Sequence, residues 1–587
     1  MGRNLTVGEL GPQTLTVGGR EILIGSNPIR VGCLEILTSV ESLAGGLVVS
    51  TVVRNLCRAP VSLPEIGITV PVEPSRILEH GWQSWSVVRR CHPSDVLPAR
   101  SWLPAWLRAM LLADPNGAGE RVAGDQFLLS DVGLVGFVGG HSHLGVVRSE
   151  PGRQVAVALL DGAELAPGGE RVLEPVWIAG GDPSQLYSQW LDLWAAHDGA
   201  RCATPAPLGW CSWYQYQSAV RPDDVAANLP LLAEHGIQVV QIDDGYQSRV
   251  GDWLDFRPGW EGGLSGLATA IAGTGMAPGI WTAPFLAAAD SQLARHHPDW
   301  LVKGEDGRAL GVAWNPTWGG WAHALDTTCP RVLEHVRELF LELGAQGFRY
   351  FKVDFCYAAA VAGKRSQTVT RAEAMRRGLA AIREAIGDDA FLLASGCPLG
   401  PAVGLVDAMR VSPDTGPRWG PQAGDRLQFP EPQAALRFAV EASVLRAPMH
   451  RRLWINDPDC LMVRPFDTEL NRVQRGIAAA LTAGTGALMT LSDDTTRYTP
   501  EEWALVGELS ADRKAADGLL ELVDPFASVL EVRSKSTSLQ VDWVGSAPPR
   551  VQPQESTVLA AVDQSVGPWA VLDKARVGTV PSPAGPA

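Results

Sequence analysis

The sequence predicts an N-terminal β-sandwich, a central (β/α)8 TIM barrel and a small C-terminal antiparallel β domain. Two observations lead to this combination of α/β and β parts. Short apolar strands without helical periodicity fill the first third of the 587-residue chain. From Leu208 onward, apolar strands alternate with helical segments, as a parallel barrel requires. We expect the three parts to span residues 1–190, 200–508 and 509–587.

The β-sandwich is predicted from runs that are rich in Val and Leu and bounded by turn residues. They include GLVVSTVVRNL (46–56), QFLLSDVGLVGFVGG (126–140) and RQVAVALL (153–160). The segment SQLYSQWLDLWAAHDG (184–199) is then predicted to be helical, and GARCATPAP (199–207) is typical of a linker.

The barrel is predicted from eight strands and the helical segments between most of them. The strands are expected to end near Trp213, Asp243, Trp281, Asp354, Ser395, Arg410, Asn456 and Ser492. Helices are expected over 222–235, 330–345, 370–386, 432–446 and 467–483. A Trp-rich insertion (284–330) follows the third strand, where βα loops form the active face of a barrel.

The C-terminal domain is predicted from strand-like runs that resume at about residue 510. They read PFASVLEVRS, TSLQVDWVG, STVLAAVDQ and GPWAVLD, and the final VPSPAGPA is expected to be disordered.

Composition excludes several classes of function. The net charge of −15 argues against a nucleic-acid partner and against an anionic membrane surface. No apolar run is long enough to span a bilayer, and no secretory signal is visible. Nine cysteines are scattered without paired spacing, so we expect reduced thiols in a cytoplasmic protein rather than a disulfide framework.

Two opposite charges lie inside one apolar strand, FRYFKVDFCY (348–357). Lys352 and Asp354 are two residues apart and therefore share a face of the strand, which we expect to be the barrel interior near its mouth. Burial of either ion alone is costly, whereas a neighbouring ammonium would lower the pKa of Asp354 and suit a nucleophile. The other predicted strands also end in polar or aromatic side chains. These are Trp213 and Tyr214; Asp243 and Asp244; Trp281; Arg410, followed by Asp414; and Asp457 and Asp459.

A pair of carboxyl groups at such a mouth is typical of glycoside cleavage. One carboxylate attacks the sugar, and the other group protonates the leaving oxygen and later acts as a base. Asp354 is the candidate nucleophile and Asp414 the candidate acid/base. No His cluster accompanies the predicted strand ends, so we expect neither a metal nor another cofactor.

An ordered set of motifs resembles the α-galactosidases (melibiases) of glycoside hydrolase family 36. The motifs are HGWQSWS (80–86), GWCSWYQY (209–216), QIDDGYQ (241–247), GDWL (251–254), PGIWTAPF (278–285), HPDWLV (297–302), RYFKVDF (349–355), MRVSPDT (409–415) and LWINDPDCL (453–461). The resemblance implies that Asp354 is the nucleophile and Asp414 the acid/base, with retention of configuration and no cofactor. It also implies a sugar-binding set: Asp243, Asp244, Lys352, Arg410, Trp85, Trp213, Trp281 and one or more of Ser395, Gly396 and Cys397. Tyr214, at the same strand end as Trp213, is a further candidate.

The leading hypothesis is therefore a retaining exo-α-galactosidase that acts on melibiose- or raffinose-type α-galactoside oligosaccharides. One alternative is a galactosyl transferase such as a raffinose or stachyose synthase, which uses the same Asp pair. Another is an α-N-acetylgalactosaminidase, which needs space at the C2 substituent. A non-catalytic sugar-binding barrel would predict loss of Asp354 or Asp414, and both are present. The oligomeric state is left open.

Overall fold

The computed structural model describes residues 14–17, 20–23, 28–95, 113–116, 121–202, 204–420, 435–535, 537–542 and 550–554. The predicted strands STVLAAVDQ and GPWAVLD and the terminal VPSPAGPA lie outside these residues, as do the first 13 residues of the predicted β-sandwich.

The N-terminal strands pair in one large antiparallel-dominated sheet rather than in two separately bonded sheets. In chain order they are β1 (Thr14–Val17), β2 (Arg20–Leu23), β3 (Ile29–Val31), β4 (Leu34–Leu43), β5 (Gly46–Asn55), β6 (Val61–Ser62), β7 (Ile66–Val70), β8 (Ile77–His80), β9 (Val88–Cys91), β10 (Ala123–Asp125), β11 (Phe127–Ser130), β12 (Leu134–Phe137), β13 (Leu144–Glu150), β14 (Arg153–Leu159), β15 (Glu164–Leu165), β16 (Glu170–Val172) and β17 (Val176–Ala179). Of these, β6 pairs with β15, and the other strands form a 15-stranded sheet.

The sheet curls, so that strands far apart in its order share one apolar core. Ile36 and Val53 from one side of the sheet lie in the same buried cluster as Ile68 and Val147 from the other. Strand β7, for example, contributes its alternate residues Ile66, Ile68 and Val70 to this core, and the result is a sandwich-like interior from a continuous sheet.

The expectation of nine reduced cysteines is wrong for one pair, because Cys33 and Cys57 form a disulfide. Cys33 precedes β4 and Cys57 follows β5, and the register pairs Leu34 with Asn55. The two arms of this hairpin have equal length, so its ends meet, and the two Cα atoms lie 5.3 Å apart. The expectation of a cytoplasmic location depended on reduced thiols and loses that support.

The central part is a nearly closed barrel of eight parallel strands with helices outside it. Its strands and those of its loops are β18 (Leu208–Cys211), β19 (Val239–Ile242), β20 (Gln247–Arg249), β21 (Asp252–Phe256), β22 (Ala277–Thr282), β23 (Leu286–Ala288), β24 (Gly311–Asn315), β25 (Gly320–Ala324), β26 (Tyr350–Val353), β27 (Phe391–Ala394), β28 (Ala408–Arg410), β29 (Ile455–Asp457) and β30 (Met489–Leu491). The barrel order is β29-β28-β27-β26-β22-β19-β18-β30. The backbone N–H of Leu488 donates to the carbonyl of Asn456 at 2.9 Å, which joins the two ends.

The helices among the described residues are α1 (Pro183–Asp198), α2 (Trp213–Tyr216), α3 (Pro222–Glu234), α4 (Ser265–Gly273), α5 (Gln292–His296), α6 (Pro330–Ala345), α7 (Arg371–Ile386), α8 (Leu399–Ala402), α9 (Leu436–Leu445), α10 (Arg472–Thr485) and α11 (Pro500–Ala516).

All eight predicted barrel strands are present, and each ends within two residues of the predicted position. Apolar side chains of Val239, Tyr350, Leu393 and Ile455 fill the interior below the mouth.

A four-stranded antiparallel sheet follows the barrel, with β31 (Glu521–Leu522), β32 (Val529–Arg533), β33 (Ser538–Asp542) and β34 (Arg550–Gln554). Helix α11 crosses the predicted boundary at residue 508, because it is the helix that follows the eighth strand. The division into residues 1–190, 200–508 and 509–587 stays a prediction. Within the described ranges, every helix is too short or too polar to cross a bilayer.

Candidate active site

Asp354 lies at the carboxyl end of β26, at the barrel mouth, and is 8% exposed. Two neutral donors hold its carboxylate. The indole N–H of Trp281, from the neighbouring β22, donates to Oδ2 at 3.0 Å. The backbone N–H of Phe355 donates to Oδ1 at 2.8 Å. Hydrogen bonds of this kind fix the direction of the carboxylate.

The residue after Asp354 has an unusual backbone conformation. Phe355 adopts φ +52°, in the left-handed region that a bulky side chain rarely occupies. This turn directs its N–H back onto Asp354 and places its ring against Trp85 and Trp318, each at a centroid distance of 4.9 Å. Backbone strain of this kind persists where the surrounding packing enforces it, often beside functional groups.

The ammonium of Lys352 contacts Asp243 rather than Asp354, which corrects the expected pairing. Its Nζ donates to Asp243 Oδ2 at 2.9 Å, and both side chains are almost fully buried. Burial opposes the charge of Lys352, but the Asp243 carboxylate outweighs burial and raises the pKa of Lys352 well above its ordinary value. The strand period does place Lys352 inside the barrel, and its long side chain reaches across to β19.

The second carboxylate after β19 is bound by residues that the sequence analysis did not assign. Asp244 accepts hydrogen bonds from the indole N–H of Trp318 at 2.8 Å and from Gln247 Nε2 at 2.5 Å. Burial raises the pKa of Asp244, and these two donors oppose that shift. Trp318 comes from the insertion after β22, whose Trp content was the one signal available in the sequence.

Arg410 binds three carboxylates at the other side of the mouth. Its Nε donates to Asp457 Oδ2 at 3.0 Å, its Nη2 to Asp459 Oδ1 at 2.6 Å and its Nη1 to Asp414 Oδ1 at 3.1 Å. Tyr214 also donates its hydroxyl to Asp459. The sequence placed Asp457 and Asp459 at a strand end, and the structure shows that they hold Arg410.

Asp414 occupies a more open and more strongly charged environment than Asp354. Its side chain is 41% exposed. The pKa of Asp414 is raised to about 7, first by desolvation and then by the negative charge of Asp459, with a smaller upward contribution from Asp354; Arg410 opposes the shift. A carboxyl with this pKa can hold a proton near neutral pH.

The loop that carries Trp85 reaches the barrel from the N-terminal sheet. Arg446, at the end of α9 and fully buried, uses all its N–H groups to hold that loop. Its Nη1 and Nη2 donate to the carbonyls of Gly81, Gln83, Ser84 and Val411 at 2.9–3.3 Å, and its Nε to His80 Nε2 at 3.0 Å. One guanidinium thus ties the Trp85 loop to the segment between Arg410 and Asp414.

The three candidates after β27 occupy different positions. Ser395 and Cys397 are fully buried, and the Ser395 hydroxyl has no hydrogen-bond partner among the described residues. Gly396 has φ +52°, and a Cβ there would stand 2.8 Å from Cη2 of Trp85, so the ring requires a glycine beneath it. The Cys397 backbone N–H donates to Ser84 Oγ at 3.1 Å, and the Cys397 thiol donates to the carbonyl of Pro398.

The remaining candidate, Trp213, is the first residue of α2 and is partly buried against the core.

Comparisons with known proteins agree with this architecture. The family model described as Melibiase matches residues 216–383. The α-galactosidase AgaA of Geobacillus stearothermophilus is 37% identical over 77 residues, 12% of this chain and 11% of that protein. The solved structure of the α-galactosidase TtGalA from Thermus thermophilus, in complex with p-nitrophenyl α-D-galactopyranoside, superposes with a TM-score of 0.68 at 26% identity, covering 88% of this chain and 97% of that one. In sequence over part of its length and in fold over most of it, the chain is similar to the α-galactosidases of glycoside hydrolase family 36.

A third relative carries a different substrate in its name. The A type blood α-D-galactosamine galactosaminidase of Flavonifractor plautii is 31% identical over 117 residues, 19% of this chain and 10% of that protein. The sequence matches to AgaA and to this enzyme therefore span about a tenth of each relative's length.

One group of side chains has the residue types of a metal site, away from the barrel mouth. Among the described residues, ligand atoms of Glu174, His197 and Asp198 lie within 4.8 Å of one another. The Asp198 oxygens already accept from Gly140 N at 3.0 Å and Trp194 Nε1 at 2.7 Å, and pair with His197 Nδ1 at 2.7 Å. These contacts explain the cluster as the anchor of the C-terminal end of α1.

Proposed function

We propose that this protein is a retaining exo-α-galactosidase that removes terminal α-linked galactose from melibiose- and raffinose-type oligosaccharides. The observation that carries the proposal is the contrast between two carboxyl groups at one barrel mouth. Asp354 is held by the neutral N–H groups of Trp281 and Phe355, whereas the pKa of Asp414 is raised to about 7. Glycoside cleavage with retention needs one ionised and one protonated carboxyl group.

In the first step, an Asp354 oxygen attacks C1 of galactose while the bond from C1 to the leaving oxygen breaks. Asp414 gives its proton to that oxygen, so that the aglycone leaves as a neutral alcohol. In the second step, Asp414 takes a proton from water, and the water oxygen attacks C1 and releases Asp354. The two inversions at C1 retain its configuration.

The galactose would be bound by the buried charges around these two groups. Asp243 and Asp244 present acceptor oxygens, Lys352 and Arg410 present donors, and Trp281 lies against the nucleophile. Two buried polar groups support a hydroxyl-rich ligand, since Trp85 Nε1 and Ser395 Oγ have no hydrogen-bond partner among the described residues. Such groups cost free energy unless a ligand satisfies them.

A second candidate is an α-N-acetylgalactosaminidase, favoured by the similarity to the galactosaminidase of Flavonifractor plautii. Transfer of galactose to a sugar is the third, because it uses the same two carboxyl groups. All three activities share the first step and differ in the C2 substituent or in the final acceptor.

One experiment distinguishes these candidates. The purified chain is incubated with p-nitrophenyl α-galactoside, its N-acetylgalactosamine analogue and raffinose, each with and without an excess of acceptor sugar. We expect the galactoside and raffinose to yield free galactose, with Asp354→Ala as the inactive control. Preference for the N-acetyl substrate, or products dominated by transfer, would replace the proposal with the corresponding alternative.

A further inference from the structure

The residue that follows the candidate nucleophile has a backbone conformation that its own side chain does not favour. Phe355 has φ +52° and ψ +33°, in the left-handed region that glycine, asparagine and aspartate enter most readily. The short polar side chains of Asn and Asp can hydrogen-bond to the local backbone there, whereas a phenyl ring cannot. The conformation of Phe355 is therefore imposed by contacts with other parts of the molecule.

Two tryptophans from distant segments contact the Phe355 ring. Trp85 lies in the loop after β8, and Trp318 lies in the turn between β24 and β25. Each indole meets the phenyl ring edge to face at a centroid distance of 4.9 Å, with interplanar angles of 78° for Trp85 and 68° for Trp318. Aromatic pairs favour this geometry, which stabilises them beyond the burial of apolar area. The two contacts can therefore offset the cost of the left-handed backbone.

Both indoles are themselves held by other groups. The indole N–H of Trp318 donates to Asp244 Oδ2 at 2.8 Å. The backbone N–H of Trp85 donates to Gln83 Oε1 at 3.0 Å, and a Cβ on Gly396 would stand 2.8 Å from the Trp85 ring. These contacts restrict the two indoles and, through them, the phenyl ring of Phe355.

The backbone on both sides of Phe355 is also fixed. The N–H of Asp354 donates to the carbonyl of Thr282 at 2.8 Å, and the N–H of Tyr357 donates to the carbonyl of Gly396 at 2.7 Å. Because the flanking chain is held, φ of Phe355 sets the plane of the peptide group between Asp354 and Phe355. That plane directs the Phe355 N–H onto Asp354 Oδ1 at 2.8 Å. Relaxation of φ to negative values would turn this donor away from the carboxylate.

We propose that Phe355 is a positioning residue for the nucleophile, with Trp85 and Trp318 holding its ring and its backbone N–H fixing the direction of Asp354. The inference deepens the proposed function and rests on it. Both tryptophans then act on the rate through Phe355, in addition to any contact with the sugar. Attack on C1 requires a carboxylate oxygen aimed at that carbon, so loss of the N–H should slow the first chemical step more than it weakens binding.

The test compares alanine with glycine at position 355. Both substitutions remove the ring, but glycine adopts the left-handed conformation without steric cost and alanine does not. We expect Phe355→Ala to slow the single-turnover release of nitrophenol from p-nitrophenyl α-galactoside about tenfold, the usual effect of one hydrogen bond to a charged group. The half-saturating substrate concentration should change less than about twofold, because the sugar contacts remain. Phe355→Gly should be several-fold faster than Phe355→Ala, although it removes more of the side chain.

Ala44→Gly is the matched control for the change from alanine to glycine. Ala44 also has a left-handed backbone, at φ +50°, but it lies in the hairpin turn between β4 and β5, far from Asp354 in the chain. Glycine at this position should leave the single-turnover rate unchanged. Thermal unfolding of each variant reports whether it is folded. If Phe355→Gly does not fold, Phe355→Asn takes its place, because asparagine also adopts the left-handed conformation.

A double-mutant cycle tests whether Trp318 acts through Phe355. Trp318→Leu should slow the single-turnover rate in the unmodified chain, because it removes one of the two rings that hold Phe355. In the Phe355→Gly background the same substitution should slow the rate less, since no phenyl ring is left to hold.

Three results would overturn the positioning role. Equal rates for Phe355→Ala and its glycine or asparagine counterpart would show that the left-handed conformation does not matter. An equal cost of Trp318→Leu in both backgrounds would show that the indole does not act through Phe355. A higher half-saturating concentration with an unchanged rate would make Phe355 a binding residue instead. If the unmodified chain cleaves neither p-nitrophenyl α-galactoside nor raffinose, the proposed function fails and the positioning role with it, whereas the three results above overturn the positioning role in an active enzyme.

Discussion

Asp354 and Asp414 are chemically the same side chain, and their surroundings differ in almost every respect. Asp354 is buried and held by neutral N–H groups from an indole and from a backbone in the left-handed conformation. Asp414 is partly exposed, contacts Arg410 and lies near the negative charge of Asp459. Under the proposed mechanism, the difference assigns the two carboxyl groups to the roles of nucleophile and acid/base by the kind of neighbour each has. Neutral donors orient Asp354, whereas desolvation and the negative charge of Asp459 raise the pKa of Asp414.

The largest effect is expected from Asp354→Ala. Loss of the attacking group should reduce kcat/KM on the order of 10⁴-fold on aryl galactosides and oligosaccharides alike, because no leaving group replaces a nucleophile. Steady-state rates on both substrates measure this loss. Azide should restore part of the activity and give the β-configured galactosyl azide. Turnover close to that of the unmodified chain would remove Asp354 from the mechanism.

Asp414→Ala should separate substrates by their leaving group. Raffinose needs a proton at the departing oxygen and should lose about 10³-fold in kcat/KM. An activated aryl galactoside needs little protonation, so its first step should persist and a glycosyl-enzyme should accumulate, visible as a burst of nitrophenol. Equal loss of the first step on both substrates would show that Asp414 is not the acid.

Trp281→Phe tests whether a neutral N–H donor orients Asp354. The variant keeps an aromatic ring but removes the N–H bound to Asp354 Oδ2, a hydrogen bond to a charged group. We expect roughly a tenfold fall in kcat on every substrate and no movement of the alkaline limb of the pH profile. A shift of that limb without a change in rate would mean that Trp281 acts on Asp414 instead.

Asp459→Asn tests the effect of charged neighbours on Asp414 and should change kcat less than the other three substitutions do. Asp414 must be protonated in the free enzyme, so kcat/KM should fall as pH rises through about 7. The negative charge of Asp459 raises that pKa; its removal also leaves Arg410 freer to bind Asp414, which lowers the pKa further. The alkaline limb should therefore move to lower pH, with kcat at acidic pH changed least. An unmoved limb, or one at higher pH, would contradict this account of Asp414.

The sequence predicted which residues meet at the barrel mouth because parallel strands end at one edge. Asp243, Asp354 and Arg410 follow from the strand ends, and the period of two puts Lys352 on the face of Asp354. The partner of Lys352 did not follow, because it depends on the reach of a long side chain across the barrel. Trp318 was missed because it lies in an insertion without a repeating pattern.

The disulfide in the N-terminal sheet is a second contact that could not be predicted from the sequence alone. Cys33 and Cys57 are 24 residues apart, a spacing that matches no motif. Their proximity follows from the register of one hairpin about Ala44 and Gly45, which must be known before the pair can be recognised. The raised pKa of Asp414 likewise depends on burial and on Asp459, which lies 45 residues further along the chain.

The division of roles between Asp354 and Asp414 is tested most directly by trapping the covalent intermediate. The protein is treated with 5-fluoro-α-galactosyl fluoride, whose ring fluorine slows release from the enzyme, and is then digested and analysed by mass spectrometry. The account predicts one fluorogalactosyl group, attached to the Asp354 carboxylate and absent from Asp354→Ala. Attachment to Asp414, or turnover of the reagent with inverted product and no adduct, would contradict it.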